Sequence, residues 1–253
     1  MPVFDADRPL RVVVFFSGGA SGARYLLDHD PACGERYEVV GAFTDDPDAP
    51  GVEALAQRGV EVEAHDLEAF CEERGAAVGD MEVRAAFDAE TAARVERFDA
   101  DLVVLSGYMR ILTAPVIEAY PVLNVHPADL TVTDDDGDRV YVGADAVHDA
   151  IVDGRAATRS TVHLVTAGVD EGPLLVRSRP FPVRREQVET LQAFAAGDAL
   201  RDYADAHQEW MKWDGDGPAL ATALALVADG KVGFAPEGGL VVDGEPGPYD
   251  MTG

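Results

Sequence analysis

Two polar side chains stand at alternate positions near the end of an apolar run in the middle of the chain. In the segment VLNVHP, residues 122–127, the amide of Asn124 and the imidazole of His126 are two residues apart. If this run is a β-strand, both side chains point to the same face, because side chains alternate along a strand. Pro127 ends the run, so we expect the pair at the carboxyl edge of a sheet, where open α/β sheets bind ligands.

A carboxylate follows another apolar run further along the chain. Asp170 lies in the glycine-flanked turn TAGVDEGP, residues 166–173, after the predicted strand Ser160–Val165. An amide and an imidazole supply hydrogen-bond donors for a developing oxyanion, and a carboxylate can keep the imidazole protonated. Each residue also has an ordinary structural use, because Asn caps turns, a single buried His is often only hydrogen-bonded, and Asp forms Asx-turns.

Apolar runs alternate with helical segments along the chain and predict a mostly parallel, doubly wound α/β sheet. Leu10–Phe16 and Leu102–Leu105 are uninterrupted apolar runs, which are typical of strands covered on both faces. The other predicted strands are Tyr37–Phe43, Val60–Ala64, Val122–His126, Leu174–Arg179 and a short one within Gly238–Tyr249. The predicted helices are Gly51–Gly59, Glu68–Gly75, Glu82–Arg97, Asp145–Ile151, Gln187–Ala206 and Ala219–Ala228. This βαβ rhythm implies right-handed crossovers.

A glycine-rich loop joins the first strand to the helix that follows it. Ser17–Gly22 reads SGGASG, and such a loop places backbone N–H groups and a helix N-terminus where an anion can bind. The alternative is steric, because tight strand-to-helix turns use glycine without any ligand.

Acidic residues dominate the composition. The chain has 47 acidic and 20 basic residues, a formal net charge of −27, and only two lysines, Lys212 and Lys231. The acids are spread over the whole sequence, which favours adaptation to high salt over an acidic surface for a cationic partner. Nucleic acid is not an expected ligand, because there is no basic stripe to meet its phosphates.

Cysteine use and hydropathy indicate a cytoplasmic protein. Cys33 and Cys71 are far apart and outside any ligand spacing, so neither a disulfide framework nor a metal site is expected. The N-terminus lacks a basic start followed by an apolar run, and no apolar stretch approaches membrane-spanning length. No membrane association is expected, and the 253 residues suit a single large α/β domain.

Several segments together resemble one enzyme family. LVVLSGYMRILTAPVI, VLNVHPADL, STVHLVTAGVDEGPLL and the loop SGGASG resemble the glycinamide ribonucleotide (phosphoribosylglycinamide) formyltransferases of purine synthesis, as do VADGKVGF and GGLVVDGEPGPY near the C-terminus. The resemblance implies a mostly parallel sheet of about seven strands with flanking helices. It also implies a single domain, residues 1–253, with a Rossmann-like substrate and phosphate half, 1–100, and a catalytic and folate-binding half, 101–253.

The resemblance implies formyl transfer from 10-formyltetrahydrofolate to a small amine, without a metal. Asn124, His126 and Asp170 match the family's catalytic trio, in which the amide and a cationic imidazole hold the oxyanion. Asp170 would keep the imidazole charged and orient a water, so activity is expected to fall as Asp170 protonates. The implied cofactor-binding residues are Met109, Arg110, Ile111, Leu112, Val122, Val165 and Val169. The implied substrate-binding residues are Gly19, Ala20, Ser21, Gly22 and Pro127. Arg110 is expected to contact the glutamyl or pterin end of the folate.

The sequence departs from the family pattern on the side of the amine substrate. Ala20 stands in place of a glycine, Gly22 of an asparagine, Glu90 of an arginine and Ala206 of a glutamate that contacts the ribose. The segment Gln208–Gly217 is predicted as an inserted loop that reshapes the substrate mouth, packs on a neighbouring helix or contacts another subunit. Monomer and homodimer both stay open.

Four functions are weighed against each other. A formyltransferase acting on glycinamide ribonucleotide or a related amine leads, because the catalytic trio is intact. A formyltetrahydrofolate hydrolase uses a similar trio but usually carries an N-terminal regulatory domain. The residues before Leu10, where the first strand is expected to begin, are too few to form that domain. A methionyl-tRNA formyltransferase is disfavoured by the charge of −27. A non-catalytic folate or nucleotide binder would not need all three polar side chains.

Overall fold

The computed structural model describes residues 4, 8–194, 197–236 and 238–251. Its strands are β1 (Leu10–Phe16), β2 (Tyr37–Thr44), β3 (Val62–Ala64), β4 (Leu102–Leu105), β5 (Val122–His126), β6 (Ala157–Thr158), β7 (Thr161–Leu164), β8 (Leu174–Arg177), β9 (Phe181–Pro182), β10 (Val232–Phe234), β11 (Leu240–Val242), β12 (Glu245–Pro246) and β13 (Tyr249–Asp250). Its α-helices are α1 (Ser21–His29), α2 (Pro50–Ala56), α3 (Leu67–Glu73), α4 (Met81–Val95), α5 (Ala114–Ala119), α6 (Ala146–Val152), α7 (Arg185–Ala193), α8 (Gly197–Met211) and α9 (Gly217–Ala228).

The main sheet is parallel over five strands and reverses beyond β5. Parallel pairing runs in the order β3-β2-β1-β4-β5, as the βαβ rhythm predicts. β7 then pairs antiparallel with β5, and β8 pairs antiparallel with β7. β13 adds in parallel to β8, which gives eight strands within the described ranges. The predicted fold class is confirmed, and the short strand β13 accounts for the count above about seven.

Helices cover both faces of the sheet, which is why its central strands are uninterrupted apolar runs. All four residues of β4 are buried. On β1, Val12 and Val14 join the core beneath α1 and α9, while Val13 and Phe15 join the core beneath α3, α4 and α5. Alternate side chains of one strand therefore serve two separate apolar layers.

The reversal at β7 decides which residues meet at the carboxyl edge of β5. His126, the last residue of β5, stands opposite Thr161, the first residue of β7, and Asn124 stands opposite His163. The loop after β1 and the segment 106–113 after β4 leave the sheet at this same edge, because these strands run parallel to β5. In the described part of the chain, no helix is long and apolar enough to cross a membrane.

The segment Gln208–Gly217 is helical, so its prediction as a loop was wrong. α8 continues into a π-helix, Lys212–Asp216, and α9 begins at the next residue. Met211 and Gly215 are buried, so the segment packs inward although its sequence is polar. A side chain at Gly215 would collide with Phe181 and Ser160, and one at Gly217 with Tyr25.

The predicted helix Gln187–Ala206 corresponds to two helices, α7 and α8. Residues 195 and 196, which that prediction also included, lie outside the described residues.

Candidate active site

The structure brings the three predicted catalytic side chains together at the carboxyl edge of the sheet. Asn124 and His126 lie on one face of β5, and Asp170 lies in the turn between β7 and β8. His126 Nδ1 is 3.5 Å from Asp170 Oδ2. Asn124 Nδ2 donates to Asp170 Oδ1 over 3.3 Å. One carboxylate therefore contacts both the amide and the imidazole.

A second histidine completes this cluster and was missed by the sequence analysis. His163 Nε2 is 3.2 Å from Asn124 Nδ2 and 3.4 Å from Asp170 Oδ1. Its Nδ1 is 3.0 Å from the backbone oxygen of Leu164, which can only accept, so Nδ1 carries a proton. Thr161 and His163 share a face in the sequence pattern, but the pattern does not reveal that β7 lies antiparallel beside β5.

His126 is buried, and both of its ring nitrogens have partners. Nε2 is 2.9 Å from the backbone oxygen of Tyr141, so this nitrogen carries a proton. Burial lowers the pKa of His126 below its ordinary value, and the attraction of Asp170 opposes this shift without overcoming it. In the free site, lost hydration therefore affects this pKa more than the nearby carboxylate does.

The turn at Asp170 fixes a carboxylate that stays ionised. Its φ of 54° is left-handed, a conformation that Asp adopts more readily than most residues. The Gly143 N–H donates to Oδ2 over 2.9 Å, and Arg139 donates to the backbone oxygen of Asp170. Burial alone would raise the pKa of Asp170, but His163, His126 and Gly143 together lower it well below its ordinary value. The fall in activity expected as Asp170 protonates is therefore expected below the ordinary pH range of an aspartate.

The predicted cofactor segment, residues 109–112, exposes apolar side chains. It follows β4, which pairs with β5, the strand that carries Asn124 and His126. Met109 is 64% exposed and Ile111 is 48% exposed, and Val169, next to Asp170, is 47% exposed. The less exposed members of the predicted cofactor set are Leu112, Val122 and Val165, which join the core beneath the segment. Solvent-exposed apolar residues of this size commonly mark a ligand-binding surface.

Arg110 lies between these apolar residues and points toward the first half of the chain. Its Nε donates to Asp45 Oδ2 over 2.6 Å. Asp45 also raises the pKa of the Arg110 guanidinium. The expected folate contact would therefore have to come from the Nη atoms, since Nε is already engaged.

The glycine-rich loop leaves part of its backbone open. Ala20 has a left-handed φ of 50° and directly precedes α1. Within the described residues, no acceptor bonds the N–H groups of Gly19, Ala20 or Ser21. The N–H of Gly22 donates to Ser106 Oγ over 2.9 Å, and a Cβ at Gly22 would lie 2.3 Å from the same atom. Gly22 is thus a packing residue here, and its N–H is unavailable to a ligand.

The other substrate-side positions lie on three different segments of the chain. Pro127 follows His126 directly and is half-buried. Glu90 faces Arg74 and His65, at 3.6 and 3.7 Å, and Ala206 is exposed on α8. Among the described residues, no group of three or more His, Cys, Asp or Glu side chains is arranged to hold a metal ion.

The carboxyl edge of the sheet thus presents an amide, imidazoles and a carboxylate beside exposed apolar side chains, and such a set can stabilise an oxyanion. The formyl transferase family model matches residues 10–198. The chain therefore belongs to the formyl transferase family, and its relatives place it with the phosphoribosylglycinamide formyltransferases. The enzyme class expected from the sequence is confirmed.

Two bacterial proteins illustrate the similarity. The chain is 34% identical over 177 residues to the phosphoribosylglycinamide formyltransferase of Mycobacterium tuberculosis H37Rv, covering 69% of this chain and 72% of that protein. A crystal structure of glycinamide ribonucleotide transformylase 1 from Symbiobacterium toebii aligns with a TM-score of 0.67 and 27% identity, covering 94% of this chain and 95% of that one. The trifunctional purine biosynthetic protein adenosine-3 of Drosophila melanogaster is 26% identical over 92% of this chain, which spans only 15% of that protein.

Proposed function

We propose that the protein transfers the formyl group of 10-formyltetrahydrofolate to the amine of glycinamide ribonucleotide. The observation that carries this proposal is the contact of Asp170 with both Asn124 and His126, beside the exposed apolar segment at Met109 and Ile111. The names of its relatives support glycinamide ribonucleotide as the acceptor and formyl as the group transferred.

The reaction proceeds through one tetrahedral intermediate. The amine nitrogen attacks the formyl carbon, and the carbonyl electron pair moves to oxygen. Asn124 Nδ2 and His126 Nε2 donate hydrogen bonds to this oxyanion. A proton leaves the attacking nitrogen and reaches N10 of the folate through a water held by Asp170. The carbon–N10 bond then breaks, which releases tetrahydrofolate and the formylated amine.

Both donors must change partners for this step. In the free site His126 Nε2 bonds the Tyr141 oxygen, and Asn124 Nδ2 is shared between His163 and Asp170. We infer that substrate replaces these internal acceptors with its own oxygen. Catalytic hydrogen bonds often tighten only in the substrate complex, so the free geometry is compatible with this role. As negative charge develops on oxygen, the hydrogen bond from His126 Nε2 strengthens, and Asp170 beside Nδ1 stabilises positive charge on the imidazole.

We assign the two substrates to two neighbouring segments beside the cluster, the loop after β1 and the cofactor segment after β4. The open N–H groups of Gly19, Ala20 and Ser21, at the start of α1, would bind the phosphate of the ribonucleotide, and Pro127 would line its path. The pterin would rest against the cofactor residues defined above, with Arg110 Nη atoms toward the glutamyl end.

The experiment is a transfer assay with purified protein in concentrated salt. We expect formylation of glycinamide ribonucleotide by 10-formyltetrahydrofolate, and a loss of roughly a hundred- to a thousandfold in turnover for Asn124→Ala. His126→Ala should lose at least as much. Glu118→Gln, a change on the exposed side of α5, serves as the matched control and should keep full activity. If water is the better acceptor in wild-type protein, the enzyme is a hydrolase and the proposal is wrong.

We also propose that the enzyme works in a cytoplasm of high ionic strength. The support is the net charge of −27 with acidic residues along the whole sequence. At this charge, self-repulsion weakens the compact state in dilute buffer and is screened in salt.

A further inference from the structure

Asp45 is a buried carboxylate that contacts two functional segments at once. It follows β2 directly, and its side chain is 0% exposed. Oδ1 accepts a hydrogen bond from Ser17 Oγ over 2.5 Å, and Oδ2 accepts one from Arg110 Nε over 2.6 Å. Ser17 begins the glycine-rich loop, and Arg110 lies in the cofactor segment. The carboxylate therefore bridges the two proposed substrate sites without belonging to either.

Ser17 strengthens the same bridge from the other side. Its N–H donates to the oxygen of Gly107 over 3.0 Å, and its Oγ accepts from the N–H of Met109 over 3.0 Å. The start of the glycine-rich loop thus holds the backbone of the cofactor segment on both sides of Tyr108. Hydrogen bonds run continuously from the loop through Ser17 and Asp45 to Arg110.

The charges of Asp45 and Arg110 affect how this network responds to each substrate. Asp45 places a buried anion beside the loop proposed to bind a phosphate, where it would oppose the ligand. Arg110 offsets this charge, because a paired buried carboxylate costs far less than an unpaired one. A phosphate dianion bound at the glycine-rich loop therefore favours the state in which Arg110 stays paired with Asp45. A folate that packs on the cofactor segment holds Arg110 in this same position.

We propose that Asp45 is a positioning residue that couples the two substrate sites, so that filling either site raises the affinity of the other. This inference rests on the proposed function, because it takes the loop and the segment as the two sites. Each substrate needs its own segment fixed, and the network fixes both together, so the second substrate loses less conformational freedom on binding. Such coupling is reciprocal by thermodynamic linkage.

The test is calorimetric titration of tetrahydrofolate, with and without saturating glycinamide ribonucleotide. These two ligands do not react, so the ratio of the two dissociation constants measures the coupling alone. We expect the ribonucleotide to tighten tetrahydrofolate binding about fivefold or more in wild-type protein. Asp45→Asn keeps an acceptor for Ser17 but loses the ion pair, and it should reduce this ratio nearly to one.

A second variant and a matched control separate coupling from general damage. Arg110→Met removes the same pair from its half-exposed side, so it decides the question if Asp45→Asn does not fold. Asp28→Asn removes another carboxylate–arginine pair, Asp28 with Arg58 at 2.6 Å, which touches neither site, and should leave the ratio unchanged. A wild-type ratio of one, or a ratio unchanged in both test variants, would overturn the inference.

Its failure can be told apart from failure of the proposed function. If the wild type does not formylate the ribonucleotide, inorganic phosphate replaces it as the loop probe in the same titration. A ratio above one with phosphate that depends on Asp45 then sustains the coupling while the acceptor assignment fails. If formylation is normal but the ratio of dissociation constants does not change in Asp45→Asn, the proposed function stands and the coupling is wrong.

Discussion

The imidazole of His126 lies between a backbone oxygen and a carboxylate, and this environment decides which protons it carries. Burial removes water from the ring and lowers its pKa, while Asp170 at 3.5 Å acts in the opposite direction. Asp170 itself stays ionised because His163, His126 and the Gly143 N–H all favour its charged form over the cost of burial. The pair thus combines a fixed negative charge with an imidazole whose pKa is set by burial and by that charge.

Titration of His126 by NMR tests this account. We expect a folded-state pKa below the ordinary value of 6.5, and a still lower one in Asp170→Asn, because that variant removes a charge that raises it. The measurement follows the His126 ring proton against pH in both proteins, with Glu118→Gln as a surface control that leaves the curve in place. A pKa that rises in Asp170→Asn would contradict this assignment of the opposing effects.

The π-helix Lys212–Asp216 contains a buried carboxylate, that of Asp216. Asp216 Oδ1 is buried and has no hydrogen-bond partner among the described residues. Burial raises the pKa of Asp216 to about 7. Above that pH the folded protein must hold a buried anion that the unfolded chain exposes to water. The segment is therefore less stable than its apolar contacts alone would make it, and π-helices are commonly found where such costs serve a function.

Asp216→Asn should stabilise the protein at alkaline pH. The folded pKa lies above the ordinary value of 3.8, so folding takes up a proton between about pH 4 and 7, and the cost of the charge is complete only above that range. We expect a gain of about 2 kcal/mol at pH 8, which corresponds to a rise of about 5 °C in Tm. The gain should shrink toward pH 4. Thermal melts across this pH range test it, with the exposed Asp205→Asn as control, and a pH-independent effect would contradict the explanation.

Whether an element could be predicted from the sequence depends on the contacts that stabilise it. β1 and β4 could be predicted because both faces are covered, so their runs are uniformly apolar. Asn124 and His126 could be paired from their spacing alone. His163 could not be added, because its place depends on the direction of β7, and antiparallel pairing leaves no mark in the strand's own composition. The helix through Gln208–Gly217 was missed because its glycines suggest a turn, whereas they allow close packing against Phe181 and Tyr25.

The charge of the whole molecule should govern its stability more than any single ion pair does. Most of its salt bridges have partly exposed side chains, and each such pair contributes little. The net charge of −27 instead acts on every part of the fold at once. Salt weakens the exposed pairs slightly and screens the overall repulsion strongly, so the second effect should dominate.

Thermal unfolding in KCl measures this balance. We expect Tm to rise by several degrees between about 0.1 and 1 M, where the Debye length falls from about 10 to 3 Å, and to rise more slowly beyond. Sucrose stabilises compact states without screening charge, so it serves as the comparison at matched osmolality. A Tm that is flat or falls with KCl would show that repulsion does not limit stability.

The antiparallel pairing of β5 with β7 also makes the specific activity a measure of whether the sheet has folded in the correct register. A slip of one residue in this pairing would place Val162 or Leu164 opposite Asn124 and turn the His163 side chain to the other face of the sheet. Such a misaligned molecule would keep most of its secondary structure and its apolar content while losing a member of the site. The specific activity recovered after denaturation would then count correctly aligned molecules, which circular dichroism cannot distinguish from the rest.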